Sequence, residues 1–573
     1  MKKIVKYLMI TLPLVAVLVA CGDDFLDTPV QNAISKDVLS ATQSGADAVL
    51  IGAYKMLNGF TNTVGNTWGS APSNYFYESA SDDLHKGSEL SDNPDGYDEI
   101  SIYAWSTGLK AFRDKFQAIY EGVGRANSAI LIAQEFKKKG GSDAQVNRIT
   151  GEALFLRAWY HFDGYKIFKN IPYYFETDIE QKANDQPVLP LVIADLQKAI
   201  TLLPDNRGSQ VGRVDKIVAK AFLGRVLLFN KDFAGAKTNL QEVVSSNRFA
   251  LVDCFNDNFT IAGDNNKESV FEHQSSVNDG DGNATNTNFL ERLAAPHGGS
   301  HTGCCGFNNP SQDLVNSYRV DPTTGLPVAN PNSNRVKVDK AEVVDPRLDW
   351  TVGRTGVPYL DWGVHIDGWI RGSGWAGLHS PKKNMKLVTD AAGPGWTTNQ
   401  LHAKNYRFLR YADVLLMLAE AEVESNGSLE NARALVNQVR KRAANCAQGP
   451  VGGPLAVPIN DSRITWATYK VGTYDAPFTS QAAARDAVRR EIRLEFASEG
   501  HRLFDLRRWG ILESTVTAYR QYELSVTNIV NGATVKIQDL ERAAPVQARH
   551  YAFPIPSTEI DLSLGKLKQN DGF

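Results

Sequence analysis

The sequence predicts a mainly α-helical protein: a scaffold of tetratricopeptide (TPR)-like helix pairs, interrupted by long irregular loops and carrying few short strands. Three observations predict this fold class. Apolar residues recur at helical spacing along several segments, two segments repeat the spacing of a TPR helix-turn-helix, and the periodicity disappears between about residues 250 and 405. The length of 573 residues fits two to four domains or one large repeat-built body.

The N-terminus has the pattern of a lipoprotein signal peptide. Lys2, Lys3 and Lys6 precede an apolar run, Tyr7 to Ala20, that is shorter than the roughly 20 residues of a bilayer span. Leu-Val-Ala stands directly before Cys21, as in a lipobox. We therefore expect cleavage before Cys21 and a diacylglycerol on its thiol. The alternative is an ordinary secretory peptide with a coincidental cysteine.

The mature chain is expected to be anchored to a membrane without crossing it. Residues 1–20 would be removed, and residues 21–43 would form a lipidated tether. Without the three leader lysines, 58 basic residues face 64 acidic ones, a net charge of −6. That balance argues against nucleic acid, whose binding proteins need a concentrated basic face.

Helical patterns dominate the first part of the chain after the tether. A helix is predicted from about 44 to 57, and a loop-rich stretch follows from 58 to 103. Helices resume with "AFRDKFQAIYEGVGRANSAILIAQEF" and with the strongest pattern, "ITGEALFLRAWYHFDGYKIF". This last helix is expected to end before Pro172, which cannot continue it.

Two segments have the spacing of TPR-like helix pairs. In the first, Gly224 is followed by Ala236 twelve residues later and by Leu240 four residues after that. Small residues at these positions let two antiparallel helices approach closely. The second, "RYADVLLMLAEAEVESNGSLENARALVNQVRKRA", turns at Asn426 and has Ala432 as its small residue.

The region from about 250 to 405 is rich in Gly, Asn, Asp and Pro and in tryptophan. Half of the ten tryptophans lie in it: Trp350, Trp362, Trp369, Trp375 and Trp396. A long irregular region inside a compact protein is usually functional. Its stretch "YLDWGVHIDGWIRGSGW" has the composition of a sugar site, in which aromatic faces stack on pyranose rings while charged groups hold the hydroxyls. The candidates are Tyr359, Trp362, Asp367, Trp369, Arg371 and Trp375. Alternatively, these tryptophans only anchor the loops.

A second candidate stretch is "SNYFYESASDDLHKGS". Tyr75, Tyr77 and Asp83, together with the upstream Trp68, could bind sugar hydroxyls or a hard cation. The alternative, which we favour for the Asp pair, is that the aspartates make Asx turns that shape the loop.

The stretch "HGGSHTGCC" brings His297, His301, Cys304 and Cys305 close together in sequence. Their spacing fits no common zinc pattern, so we expect no metal there. With Cys254 and Cys446, the two cysteines allow three full disulfide pairings that the sequence does not distinguish. A bond between the adjacent Cys304 and Cys305 is not expected, because the ring it closes is strained.

The most arginine-dense stretch is "ARDAVRREIRLEFASEGHRLFDLRRWG". Asp486 can pair with Arg489 and Arg490 at helical spacing, and Gly500 is placed to end the helix. We expect an ion-paired helix-turn-helix here and no anion site, with neutralising carboxylates at Glu491, Glu495, Glu499 and Asp505. The chain contains no GxSxG, HExxH, Walker or GxGxxG motif, so neither catalysis nor a cofactor is expected.

Many stretches in fixed order resemble the SusD/RagB family of Bacteroidota surface lipoproteins. They include "CGDDFLDTPV", "GRANSAI", "GEALFLRAWYHFDGYKIFKNIPYY", "GRVDKIVAKAFLGRVLLF", "GCCGFNNPSQDLVNSY", "DPRLDWTVG", "NYRFLRYADVLLMLAEAEV", "REIRLEFASEGHRLFDLRRWG" and "YAFPIPSTEIDLSLGKLKQNDGF". Together these stretches cover nearly everything after residue 20.

The resemblance implies one SusD-like body over residues 44–573, with a helical part (44–250), a loop-rich ligand-binding part (251–405) and a second helical part (406–573). It implies a non-catalytic lipoprotein on the outer membrane, facing the exterior. Such a protein binds oligosaccharide and delivers it to a SusC-like TonB-dependent transporter. The resemblance also makes Asp23 and Asp24 an export signal.

The same resemblance places the ligand-binding loops at roughly 68–105 and 280–300, with 359–375 nearby. No ligand residue carries over one to one, because these loops vary in length and sequence. Within 280–300, Asn286 and Phe289 complete the candidate glycan-binding residues. Two other functions stay open from the sequence. One is a surface glycoside hydrolase, whose paired carboxylates would meet only in the fold. The other is a TPR-type outer-membrane scaffold that binds protein or peptide.

Overall fold

The structure is a computed structural model. It describes residues 34–573 apart from 62, 67, 281–284, 289–292, 391–400 and 531–532. Cys21, Asp23, Asp24 and Phe289 lie outside the described residues, so the lipidation, export and Phe289 assignments stay predictions. Trp396 lies outside them as well.

Helices make up 47% of the structure and strands 7%, which confirms the mainly α prediction. The long helices are α1 Gln43–Lys55, α2 Lys110–Lys138, α3 Asp143–Phe168, α4 Val188–Leu202, α5 Lys216–Phe229, α6 Phe233–Ser245, α7 Tyr411–Glu424, α8 Leu429–Ala443, α9 Gln481–Phe496, α10 Arg502–Trp509 and α11 Leu512–Ser525. Between residues 251 and 405, the longest described helix is Gln312–Ser317, in agreement with the loss of helical periodicity there.

The strands are short and form two-stranded pairs. Four pairs are antiparallel: Ser269–His273 with Tyr406–Arg410, Val352–Gly353 with Ser380–Pro381, Ala447–Gln448 with Ala456–Val457, and Asn528–Val530 with Ala533–Val535. One pair, Val343–Val344 with Thr468–Tyr469, is parallel. None of the described helices is both long and apolar enough to cross a membrane.

Helix α3 is the central helix of the scaffold. It begins at a capping box, in which the Ser142 backbone N–H donates to Gln145 Oε1 (3.2 Å) and the Gln145 N–H donates to Ser142 Oγ (3.4 Å). Residues on every face of its middle turns are buried, because α2, α4 and α1 pack around it. One hydrophobic core runs from Ala46 to Leu567 and includes this helix.

Both predicted TPR-like helix pairs are present. Helices α5 and α6 cross so closely at Gly224 that a Cβ there would lie 2.5 Å from Leu240 Cγ, which explains the small residue. In the second pair, α7 and α8, Ala432 is fully buried. The turn between α7 and α8 is closed by Glu422, which accepts hydrogen bonds from the Ser428 N–H (2.9 Å) and Asn431 (2.8 Å). Helix α6 packs against α7 and joins the two pairs.

The irregular region is fastened to this scaffold by an aromatic contact. Trp159 of α3 lies 5.3 Å from Phe271 and 4.8 Å from Phe408, measured between ring centroids. Phe271 and Phe408 belong to the strand pair Ser269–His273 and Tyr406–Arg410. The two ends of the loop-rich region are therefore hydrogen-bonded to each other and packed on the central helix.

A buried network of ion pairs supplies the second connection. The Glu495 carboxylate, at the end of α9, accepts hydrogen bonds from Arg347 (2.9 Å), Arg410 (2.9 Å) and Arg442. All four side chains are almost completely buried. Glu268 completes a ring, since it pairs with Arg410 (2.8 Å) and with Arg442 (2.9 Å).

Other carboxylates of this arginine-rich segment also pair with cations from distant parts of the chain. Glu499 accepts from Arg410 and from Lys383, both at no more than 3.0 Å. The prediction that Glu491, Glu495 and Glu499 neutralise their own arginine-rich stretch is wrong for these three, which pair with cations from distant segments. Asp505 with Arg508 (2.8 Å) and Asp486 with Arg490 (2.8 Å) are the predicted local pairs.

The aspartates of the "SDD" stretch belong to a related buried cluster. Asp82 pairs with Arg502 (2.7 Å), and Asp83 pairs with Arg493 (2.8 Å) of α9. Both aspartates are buried, at 2% and 0% exposure. Their main role is thus ion pairing that joins the loop to the C-terminal helices, in place of the Asx turns that we favoured.

Gly500 does not end α9, which stops at Phe496. It lies in the turn before α10 with a φ of +76°, and a Cβ there would lie 1.7 Å from the Ser73 carbonyl oxygen. Glycine is therefore required by the close approach of the 73–74 backbone. The Gly500 N–H donates to Glu78 (2.8 Å).

The four described cysteines form two disulfides. Cys254 and Cys446 are joined across 192 residues of sequence, with Cα atoms 5.6 Å apart. Cys304 is bonded to Cys305, so the expectation that the adjacent pair stays unbridged is wrong. The two are linked by a cis peptide, with Cα atoms 3.0 Å apart.

His85 is a buried cation that fastens the loop after the "SDD" stretch. Its ring nitrogens lie 3.1 Å from Asp539 and 3.3 Å from Glu523, with no exposure of any of the three side chains. Burial alone would lower the pKa of His85, but the Asp539 and Glu523 carboxylates outweigh it and raise the pKa to about 10. The imidazole is therefore charged at neutral pH.

We predict that Glu495→Gln lowers the free energy of unfolding by about 3–5 kcal/mol, because it keeps the shape but leaves three buried arginines short of one negative charge. Urea denaturation at neutral pH measures this. The matched control is Glu430→Gln, which removes an exposed carboxylate paired with Arg433 and should change the free energy by less than about 1 kcal/mol. Equal effects of the two substitutions would contradict the role of the network.

We also predict a pH-dependent effect of His85→Gln. Because the folded-state pKa lies above the ordinary value of 6.5, the charged imidazole stabilises the fold fully below pH 6.5, and this contribution is lost as pH rises to about 10. The difference in unfolding free energy between wild type and variant should thus shrink by at least about 2 kcal/mol from pH 6 to pH 10. Urea titrations at both pH values measure it. A difference that is the same at pH 6 and pH 10 would contradict the assignment of a charged His85. His297→Gln is the control, and its difference from wild type should not change in this way.

Candidate functional site

Three loops that are distant in sequence meet on one surface. They are the segments 85–92, 296–306 and 359–377. The His297 N–H donates to the Trp369 carbonyl oxygen (2.8 Å), which joins the second segment to the third. Arg371 pairs with Glu89 (3.2 Å) and Asp92 (2.5 Å), which joins the third to the first. These segments fall largely within the stretches in which ligand-binding loops are expected.

The backbones of these loops pack without intervening side chains at two glycines. A Cβ at Gly298 would lie 1.9 Å from the Gly368 carbonyl oxygen, and one at Gly372 would lie 2.4 Å from that of Ser88. Both glycines have φ of +60°, which disfavours any other residue. Glycine is therefore required at both positions by the close packing of the backbones. This packing in turn holds the side chains between the glycines in place.

We call the surface between these loops the aromatic face and define it by His297, His301, Trp362 and Arg371. Trp362 is half-buried, and its indole N–H donates to the Lys386 carbonyl oxygen (3.0 Å). The His301 ring meets Trp362 edge to face at 5.4 Å between centroids. Because the polar group of Trp362 is already satisfied, its exposed part is an apolar ring surface in a fixed orientation.

Buried aromatic rings support Trp362 from beneath. Tyr359 lies 5.0 Å and Trp369 6.2 Å from the Trp362 ring, between centroids. Tyr359 is fully buried and its hydroxyl donates to the Pro381 carbonyl oxygen, and Trp369 is only 8% exposed. These two residues act as supports, so the prediction that Tyr359 and Trp369 contact ligand is corrected by their burial.

Polar side chains of the same loops are also held in place by hydrogen bonds. Asp361 accepts hydrogen bonds from the Val388 N–H at 2.9 and 3.0 Å, and Asp367 accepts from the Thr355 hydroxyl (2.6 Å). Burial lowers the pKa of His297 and of His301, helped by Arg371 and Lys386 respectively. Both imidazoles are thus neutral at pH 7, and each offers one donor and one acceptor, the combination that a hydroxyl group can use.

Two buried lysines hold the loops from inside, and no sequence pattern indicates either of them. Lys86 donates to the carbonyl oxygens of Glu89 (2.8 Å) and Asp92 (2.9 Å), which curls the loop that faces Arg371. Lys382 donates to the Pro358 carbonyl oxygen (2.7 Å) beneath Tyr359. Burial lowers the pKa of Lys382 to about 7. Lysine is ordinarily a surface residue, so neither position could be recognised before the fold was known.

Three candidates from the "SNYFYESASDD" stretch are inside the protein. Tyr77 and Asp83 have no exposure, and Tyr75 has 4%. The Tyr77 hydroxyl donates to the Gly69 carbonyl oxygen (2.9 Å), and the Asp83 carboxylate is held by Arg493. Their burial in the core corrects the prediction that they bind glycan.

The remaining candidates lie away from Trp362 or serve other contacts. Trp68 is half-buried and packs on the main core. Trp375 stacks on Arg542 at 5.2 Å and its carbonyl oxygen accepts from the Gln538 N–H (2.9 Å), so it fastens the C-terminal segment to this loop. Asn286 donates to Asp279 (2.7 Å) and lines a separate cavity of about 270 Å³.

The structure offers no metal site within the part of the chain it describes, where no three His, Cys, Asp or Glu side chains are grouped to hold an ion. Cys304 and Cys305 are bonded to each other, so neither is available as a thiolate ligand.

Two family models match the chain. The one described as "SusD family" matches residues 267–573, and the one described as "Starch-binding associating with outer membrane" matches residues 24–228. Among curated proteins, "SusD-like protein P2" of Formosa agariphila is 25% identical over 466 residues, which is 79% of each chain.

Solved structures share the fold. A SusD superfamily protein from Bacteroides vulgatus superposes with a TM-score of 0.68 at 21% identity, over 93% of this chain and 100% of that one. Surface glycan-binding protein A from Bacteroides thetaiotaomicron, in complex with laminarihexaose, superposes with a TM-score of 0.65 at 19% identity, over 92% and 99%. Since the SusD family model covers more than half of the 573 residues, the chain belongs to the SusD family.

Proposed function

We propose that this protein is a non-catalytic, glycan-binding surface lipoprotein that captures oligosaccharide on the aromatic face. The observation that carries the proposal is Trp362, whose ring is partly exposed, oriented by a hydrogen bond and backed by two further aromatic rings. A rigid indole surface of this kind stacks on the C–H face of a pyranose at little cost in side-chain entropy.

The polar surroundings suit a neutral sugar. His297 and His301 are uncharged at pH 7 because their pKa values are lowered, and Arg371 is already paired with Glu89 and Asp92. Hydroxyl groups need directional donors and acceptors and no net charge, which is what neutral imidazoles and paired side chains supply. The laminarihexaose complex of the similar Bacteroides thetaiotaomicron protein supports an oligosaccharide as the ligand class.

The carboxylates near the ring support binding without catalysis. Asp361 accepts from a backbone N–H, Asp367 from a hydroxyl, and Glu89 and Asp92 from Arg371. Glycoside hydrolysis needs a carboxylic acid facing a second carboxylate across the scissile bond. Carboxylates held in separate hydrogen bonds favour positioning roles over that chemistry.

The proposal extends to location and partner. A diacylglycerol on Cys21 would hold the protein on the outer membrane, and Asp23 and Asp24 would direct it to the exterior. The family description that associates part of the chain with the outer membrane supports this location. A SusC-like TonB-dependent transporter would then receive the oligosaccharide.

We predict that Trp362→Ala weakens oligosaccharide binding at least about tenfold, which corresponds to about 1.4 kcal/mol. Isothermal titration calorimetry with laminarihexaose and with maltohexaose measures it. Trp362→Phe keeps an aromatic surface and should retain most of the affinity. Trp68→Ala, a half-buried tryptophan outside the aromatic face, is the control and should retain it fully.

Two outcomes would overturn these assignments. Unchanged affinity of Trp362→Ala, with a normal circular dichroism spectrum, would exclude the aromatic face as the site. No binding by the wild type to any sugar on a broad glycan array would overturn the glycan-binding function itself. Turnover of an oligosaccharide by the purified protein would overturn the non-catalytic assignment.

We predict that Cys21→Ser releases the protein from the membrane without unfolding it, because the cysteine carries only the anchor. Cell fractionation should move the variant from the membrane pellet to the soluble fraction, while its melting temperature equals that of the wild-type body. Ser35→Ala, which leaves the cysteine intact, is the control. A variant that stays in the membrane pellet would contradict the lipid anchor.

A further inference from the structure

The structure has a second large concavity, which shares no residue with the aromatic face. It is a groove of about 890 Å³ between α2 on one side and the segments 172–181 and 559–567 on the other. We call it the α2 groove. Its size is in the range of ligand sites, but it is long and open and lies against a helix.

The charged side chains that line the α2 groove are all negative. Its lining contains five carboxylates and no lysine or arginine: Glu121, Glu176, Asp178, Glu180 and Glu559. Three of them have cations placed outside the lining, at Arg125 (2.7 Å), Arg157 (2.6 Å) and Lys182 (3.0 Å). Within the described residues, Glu180 has no ion pair, and Glu559 is held only by the neutral amide of Gln117 (2.9 Å). Two uncompensated negative charges therefore face the groove.

Large apolar side chains project into solvent at its rim. Ile179 is 96% exposed between the acidic Asp178 and Glu180, and Leu562 is 63% exposed on the opposite side. Leu564, just beyond the lining, is 90% exposed. Because Ile179 and Leu562 line the same groove, they offer a partner apolar surface on both of its sides.

The segment that carries Ile179 is held in place before any partner binds. Tyr120 of α2 donates to the Pro172 carbonyl oxygen (2.8 Å), and Asn127 donates to that of Tyr174 (3.3 Å). The Tyr174 hydroxyl donates to Gln181 (2.9 Å), and the Phe175 N–H donates to Asp178 (2.8 Å). The exposure of Ile179 is thus fixed by the surrounding contacts, and a partner would not have to order this segment.

We propose that the α2 groove is a docking site for an extended segment of another protein that carries lysine or arginine together with apolar side chains. The cationic groups would meet Glu180 and Glu559, and the apolar ones would cover Ile179 and Leu562. A neutral oligosaccharide would use the groove's tyrosines but would leave both the charges and the isoleucine without a role. The charge complementarity therefore favours a protein segment, and the glycan becomes an outcome of the test.

The test is selection of random peptides of about twelve residues on the immobilised body of the protein. The expected result is enrichment of sequences that combine Lys or Arg with Leu, Ile or Phe. Their affinity, measured by fluorescence anisotropy, should fall at least tenfold in Glu180→Lys and in Ile179→Ser. Glu513→Lys changes the net charge equally at an exposed site on α11, and it should leave the affinity unchanged.

Other outcomes would overturn the proposal. Enriched peptides that bind Glu180→Lys or Ile179→Ser as well as wild type, or no enrichment of cationic apolar sequences, would exclude the α2 groove as this docking site. Loss of oligosaccharide binding in Ile179→Ser, with Trp362→Ala unaffected, would assign the groove to glycan. Normal circular dichroism of both groove variants excludes unfolding as the cause. We expect Glu180→Lys to bind oligosaccharide as tightly as the wild type. This result would separate a failure of the docking site from a failure of the glycan-binding function.

Discussion

The rest of the structure depends on one buried carboxylate, that of Glu495. Arg347 reaches it from the irregular region, while Arg410 and Arg442 reach it from the start of the second helical part. Removing these charges from water costs free energy, which is offset only because every carboxylate and guanidinium of the ring finds several partners. The network fixes where three distant segments meet, and it does so more strictly than apolar packing would, since an unpaired charge there is heavily penalised.

This constraint explains how a region with little regular secondary structure keeps a defined shape. Between residues 251 and 405, the described helices and strands are short, so few backbone hydrogen bonds are available to order the loops. Buried lysine side chains take their place: Lys86 and Lys382 each donate to backbone carbonyl oxygens of loops. Side chains that would be solvated elsewhere act here as internal supports of the loops around the partly exposed Trp362.

The aromatic face and the α2 groove use the same scaffold in different ways. The face is built from loops whose ring stack presents one indole, whereas the groove follows helix α2 and gathers carboxylates around exposed isoleucine and leucine. Because the two surfaces share no residue, a neutral oligosaccharide and a cationic protein segment could be held together. The proposed glycan site and the proposed docking site therefore do not compete for the same residues.

The sequence by itself determined the helical scaffold, because residues three or four positions apart encode a helix and its buried face. Gly224 with Leu240 even identified a close helix crossing. It also indicated the loop that carries Trp362. Only the tertiary structure decided which loop residues are buried: Asp83 and Arg493 are 410 positions apart, and no local pattern announces such a pair. The sequence around Tyr77 and Tyr359 does not distinguish them from exposed aromatic residues, yet contacts with remote segments bury both side chains. The bond between the adjacent Cys304 and Cys305 was likewise not predicted from the sequence.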